Sequence, residues 1–219
     1  MANPSFELRT LTFLDRLQPQ LARFISKDNM VCYPTDYDAM LIMEIAPAME
    51  IHSMVDLALK RTQVRLGALI TERYFGQLFV QHSNQGEVIE AGREILRATG
   101  LDENNRAKIE ILTNKIIRSV EPDHAVYFNV SSKGDNKVDA GESVLIMETT
   151  PAAYLAIACN EALKAARIKL IEIMAFGATG RLVMSGSESE IDSAAEAALK
   201  VIDKLNEMRA NKNYKQLGA

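Results

Sequence analysis

Hydrophobic and polar residues fall into a short series of patterns along this chain, and the series runs through twice. Phe6 to Phe13 reads as a first strand, and a short helix follows Pro19. The apolar run LIME, starting at Leu41, reads as a strand, with a helix opened by Pro47, where a missing N–H costs nothing. Val64, Leu66, Ala68 and Ile70 then alternate with polar Arg65 and Thr71, predicting a strand with the four apolar residues on one face. Its partner is Leu78–His82, and a last helix starts at Asn84-x-x-Glu87, a capping-box spacing. The second pass gives a strand over Lys108–Ile117, a helix after Pro122, LIME again from Leu145, and a helix opened by Pro151 with Thr150 as its cap. Leu182–Ser185 follows as a strand, and Ser187-x-x-Glu190 opens a helix whose Ile191, Ala194, Ala198, Val201 and Leu205 form a buried stripe.

The two passes are related residue by residue. Residues 39–60 laid on 143–164 without gaps give nine identities in twenty-two, including Pro47/Pro151 and Lys60/Lys164. The register continues to Gly76/Gly180, and with one-residue shifts it reaches Glu87/Glu190 on one side and Pro19/Pro122 on the other. A period near 104 residues is too long for a solenoid and fits a duplicated domain. Strands with helices gathered to one side predict an α+β fold, two similar domains in tandem over residues 1–101 and 102–219. The middle helix of the second copy is crowded with alanines (Ala152, Ala153, Ala156, Ala158, Ala162, Ala165, Ala166), which tight packing within a domain explains.

Composition narrows the function. The 219 residues are 47% hydrophobic and carry a net charge of -4, with acids and bases interspersed. No Lys/Arg stripe with interleaved aromatics suggests a nucleic-acid groove. No signal peptide is visible in MANPSFELRTL, and no apolar run approaches the ~18 residues of a spanning helix. Cys32 and Cys159 lie outside any CxxC pattern and read as reduced thiols of a cytosolic protein. His52, His82 and His124 have no metal-ligand spacing, so no metal is expected. GxSxG, P-loop and strand-linked GxGxxG motifs are missing, and neither an enzymatic activity nor a cofactor is expected.

The ordered pattern strand, xxP, helix, (D/N)xxxK, strand, FG turn, strand, helix resembles the bacterial microcompartment (BMC) shell domain. It is carried by Asp56-x-x-x-Lys60, Asn160-x-x-x-Lys164, METTPAAYLAIACNEALK and MAFGATGRLVMSG, and it covers about 200 residues. The phrase after Met147 is similar to the circularly permuted members of that family. The resemblance implies two tandem, circularly permuted BMC domains, each a ferredoxin-like-derived α/β sandwich. It further implies a homotrimer acting as a pseudohexamer, with face-to-face stacking of two trimers by analogy with permuted relatives. The second copy departs from the pattern in having Asn160 for the acid.

Within the resemblance, two hairpins take the place of pore loops. TERYFGQ supplies Glu72, Arg73, Tyr74, Phe75 and Gly76, and the uncharged second loop supplies Phe176, Gly177, Ala178, Thr179 and Gly180. Strand parity aims Glu72 and Arg73 to opposite sides, with Gly76 giving the tight turn. By themselves Glu72 and Arg73 read as an exposed ion pair on a hairpin tip, worth ~0–1 kcal/mol, and only the resemblance makes them a gate. The family implies a gated central pore passing small metabolites. Neither hairpin holds a cysteine, so an iron–sulfur cluster is not expected. Asp56, Lys60, Asn160 and Lys164 sit where the family places its tile edge, with other microcompartment shell proteins as neighbours and the cytoplasmic organelle's shell as location. The alternative is a soluble regulator with duplicated α+β domains binding a small ligand between subunits.

Overall fold

In the computed structural model, which describes residues 6–25, 32, 34–132, 134–211 and 217, the repeated pattern becomes two copies of one unit. The first copy runs β1 (Glu7–Leu14), α1 (Pro19–Ile25), β2 (Ala39–Ala46), α2 (Ile51–Arg61), β3 (Arg65–Glu72), β4 (Phe75–His82) and α3 (Gln85–Thr99). The second runs β5 (Glu110–Ile117), α4 (Pro122–Ser131), β6 (Ser143–Thr150), α5 (Tyr154–Ala165), β7 (Lys169–Met174), β8 (Gly180–Gly186) and α6 (Glu188–Ala210). Each copy forms a four-stranded sheet, ordered β1-β2-β4-β3 and β5-β6-β8-β7, with every neighbouring pair antiparallel. The LIME strands are central in both. Paired on both edges, β2 is buried along its whole length, which suits its apolar run.

The alternation read along β3 does not survive intact. The β3–β4 register shifts between Leu66 and Ala68, a bulge at Gly67 that reverses side-chain parity. Val64 and Leu66 therefore pack with Leu69 against the first copy's helices, whereas Ala68 and Ile70 point to the opposite face. The second copy repeats the shift between Leu170 and Glu172.

Helix starts also differ from the sequence reading. Pro47 precedes a 3-10 turn over Ala48–Glu50, so α2 begins only at Ile51. Thr150 does not cap α5; its hydroxyl donates to the Ala178 carbonyl at 3.4 Å. Asn84 does cap α3 by accepting from Gly86 N, but Glu87 does not complete a box. Its carboxylate accepts from Gln63 N at 2.8 Å, and Glu190 accepts from Arg167 N at 2.7 Å. Both glutamates thus hold the loop that enters β3 or β7. In α6 the core-facing stripe includes Ile202 in place of Val201, which is only partly buried.

The alanines of α5 have a larger role than packing within one domain. One face of α5 lies on its own sheet, and the other lies on the outer face of the first sheet. A single cluster accordingly joins Met40, Ile42, Ala68 and Phe79 to Tyr154, Leu155 and Ala156. Ala152, Ala153, Ala156, Ala158 and Ala162 are buried between the layers, where larger side chains would push them apart. Ala165, at the helix end, is exposed. Between the copies, the link is pinned by a buried pair, Arg106 to Glu103 at 2.9 Å, with Arg106 also donating to Leu205 O.

Candidate functional site: the paired hairpins

The first hairpin closes in two residues. β3 ends at Glu72, β4 starts at Phe75, and Arg73 and Tyr74 make the turn. Arg73 takes φ +52, a left-handed conformation that side chains with a β-carbon adopt at a cost. Arg73 and Tyr74 are exposed, Glu72 and Phe75 are half-buried, and the Tyr74 and Phe75 rings meet edge to face at 5.6 Å. The turn expected from Gly76 lies elsewhere. Gly76 is a strand residue paired to Ile45 and Thr71, and a β-carbon there would come within 2.2 Å of the Ala48 carbonyl oxygen. Gly180 repeats this, with a β-carbon 2.6 Å from Ala152 O. The matched glycines permit close approach of β4 and β8 to the turns that follow Pro47 and Pro151.

The second hairpin is longer, with residues 175–179 between β7 and β8, and Gly177 supplies its positive φ of +95. Thr179 donates to Glu148 Oε1 at 2.7 Å, while Phe176 and Ala178 are half-buried and exposed. The Glu72 carboxylate lies against this loop: a β-carbon on Gly177 would sit 3.4 Å from Oε2. The two hairpins, about a hundred residues apart in the chain, are therefore adjacent in space.

A buried network behind them went unread in the sequence. Glu44, the acid of the first LIME strand, is fully buried. It accepts from Arg9 Nε at 2.8 Å and from Gln77 Nε2 at 2.6 Å. Gln77 Nε2 also donates to Ala175 O at 2.9 Å, on the second hairpin, and the Arg9 guanidinium lies 4.2 Å over the Phe75 ring on the first. Burial pushes the Glu44 pKa up, partly offset by the Arg9 and Gln77 bonds. The available signal was a charged residue inside an apolar central strand. Its counterpart Glu148 is only half-buried, bonded to Thr179.

The four residues read as tile edge divide into two pairs. Asp56 and Lys60 are exposed and paired to each other at 2.7 Å. Asn160 is fully buried inside the chain, which corrects its placement on an outer rim. Its Oδ1 accepts from Gln18 N at 2.9 Å and its Nδ2 donates to Arg16 O at 3.1 Å, so it grips the β1–α1 turn of the other copy. Lys164 lies at the same junction, 2.5 Å from Asp15 and 2.7 Å from Glu161. Burial and these bonds act oppositely on that pair, and the net result is a lowered Asp15 pKa and a raised Lys164 pKa. Cys159 is buried nearby, and burial pushes its thiol up, away from reactivity.

Known proteins match this arrangement along its length. A family model described as the CsoS1D N-terminal domain matches residues 8–105, and one described as the BMC domain matches residues 143–214. The latter begins at β6, leaving β5 and α4 in front, the order a permutation requires. The carboxysome shell protein CsoS1D of Hydrogenovibrio crunogenus is 44% identical over 199 residues, 91% of this chain and 97% of that one. The carboxysome shell protein CcmP of Synechococcus elongatus is 40% identical over 200 residues, 91% of this chain and 93% of that one. A solved fused permuted hexameric shell protein from the RMM microcompartment superposes with a TM-score of 0.89 at 37% identity, covering 91% of this chain and 98% of its own. A double ringed trimeric shell protein from the same microcompartment gives 0.87 at 31%, covering 91% and 97%.

Proposed function

Because the chain belongs to the tandem, permuted BMC-domain family of microcompartment shell proteins, we propose that three copies close into a pseudohexameric tile with a gated central pore. The family makes it a structural shell component and gives no support to the ligand-binding regulator. The carboxysome is the favoured organelle, since the curated relatives at 40–44% identity are carboxysome shell proteins. Other shell proteins are its partners at the tile edge, with Lys60 on that rim, and trimers stack face to face as the double ringed relative suggests.

The observation that carries the pore is the contact of Glu72 with Gly177. It sets an acid, an exposed base and a flexible glycine loop at one place in each chain. Repeated around a threefold axis, this makes a ring of three acids and three bases. Arg73 turned to the lumen favours small anionic metabolites, and local rotation of the left-handed turn opens and closes the ring. A structure of the assembled protein tests this directly. Glu72 and Arg73 on the threefold axis are expected; their lying on the outer rim would end the pore assignment.

A further inference from the structure

The two hairpins lie against each other at Glu72 and Gly177, and they are joined a second time behind. We infer that Gln77 and Arg9, both bonded to buried Glu44, are positioning residues that make the hairpins move together, a coupling that rests on the gate proposed above and gives it a second moving part.

The joint is a continuous chain of contacts. The Phe75 ring of the first hairpin lies under the Arg9 guanidinium, whose Nε donates to Glu44 Oε1 at 2.8 Å. Gln77 Nε2 donates to Glu44 Oε2 at 2.6 Å and to Ala175 O at 2.9 Å, where β7 gives way to the second hairpin. Glu44 and Gln77 are both buried, so these bonds form out of water, where each is stronger. One carboxylate oxygen thus serves the first hairpin through Arg9, and the other serves the second through Gln77.

Gln77 shows its task by what it leaves unmet. Both N–H groups of its amide meet acceptors, while its Oε1 is buried and unpaired among the described residues. Turning the amide over would set that oxygen against the Glu44 carboxylate and the Ala175 carbonyl, two further acceptors. An apolar residue here would avoid the unpaired oxygen but leave Glu44 and Ala175 O without this donor. The side chain is placed to give both bonds at once.

The second copy supplies the contrast. Gln77 faces Glu44 as Arg181 faces Glu148, and the bulged residue Arg9 corresponds to Leu112. Arg181 and Leu112 are exposed, and Glu148 bonds Thr179 of its own hairpin. The acid of the second LIME strand therefore serves one hairpin, and that of the first serves both. Ala175 is pinned by the first copy and Thr179 by the second, with Phe176, Gly177 and Ala178 between the pins. A shift of Phe75 with its turn is passed through Arg9, Glu44 and Gln77 to the root of the other loop.

Fluorine NMR of the full chain labelled with 4-fluorophenylalanine tests this. Seven phenylalanines give seven resonances, among them Phe75 and Phe176, one on each hairpin, assigned by Phe75→Leu and Phe176→Leu. Gln77→Met, which keeps the length and removes both donors, should shift the Phe176 resonance. Arg9→Met should shift it too, although Arg9 bonds nothing on the second hairpin among the described residues. In the Gln77→Met background, Arg9→Met should shift it no further. A Phe176 resonance unmoved by Arg9→Met, or moved equally with and without Gln77, would overturn the coupling. If Arg9→Met collapses all resonances to their unfolded positions, Phe75→Leu interrupts the same chain with Glu44 still paired and is read in the same way. The spectra do not depend on where the hairpins lie in an assembly. Coupling found with Glu72 and Arg73 on an outer rim would end the gate and keep the tie, and no coupling with both on the axis would do the reverse.

Discussion

Arg73 carries both the charge of the first hairpin and the strain of its turn, and substitution separates the two. At φ +52 a β-carbon costs ~1–2 kcal/mol, which glycine avoids while adding some freedom to the unfolded chain. Arg73→Gly should hold or raise the melting temperature, whereas Arg73→Ala keeps the strained β-carbon and should not exceed the parent. Both remove the closed state if the arginines close the ring. Glycine melting well below alanine would show that the turn is not left-handed. Glu44 supplies a second residue-scale test. Its raised pKa means the folded chain holds that proton more tightly than the unfolded chain does. Its stabilising contribution is thus complete below the ordinary glutamate value of 4.5 and declines as pH rises through the folded value. The stability difference between parent and Glu44→Gln, from denaturant titrations at several pH values, should fall as pH rises through that window. A flat or rising difference would contradict it.

At the scale of elements, the two hairpins were readable and their supports were not. The succession of strands and helices along the chain, with the LIME strands among them, follows from apolar periodicity repeated twice, because each element must bury one stripe; the order of strands within each sheet does not. The bulge in β3 escaped because a one-residue shift leaves the apolar count unchanged; Gly67 hints at it, but the shift in β7 has no glycine within it. Gly76 suits a turn equally well by sequence, which shows that a β-carbon is missing and not why. Its contact gives the reason and a prediction. Gly76→Ala drives a β-carbon into Ala48 O, and Gly180→Ala into Ala152 O, where rigid backbone must move. Each should cost ~1–3 kcal/mol, read as a lowered melting temperature. If either is neutral, the turns after Pro47 and Pro151 are looser than this packing requires.

The whole molecule turns one repeat motif to two uses. Asp56-x-x-x-Lys60 and Asn160-x-x-x-Lys164 look alike in sequence, and spacing cannot tell that one is exposed and the other enclosed, because the difference lies in what docks on each. Asn160 is held within the chain by bonds to Gln18 N and Arg16 O, so Asn160→Ala leaves two backbone groups without their partners. That loss, ~1–3 kcal/mol, belongs to a single molecule and should lower the melting temperature equally at every protein concentration. Among the described residues Asp56 bonds only Lys60, on an exposed helix face, a pair of small worth in the isolated chain. Asp56→Ala should therefore melt like the parent when dilute and fall below it when concentrated, because binding between copies adds to stability by mass action. Melting curves over a wide concentration range distinguish the cases. A concentration-independent loss for Asp56→Ala would make it an internal residue like Asn160 and remove it from any contact between copies.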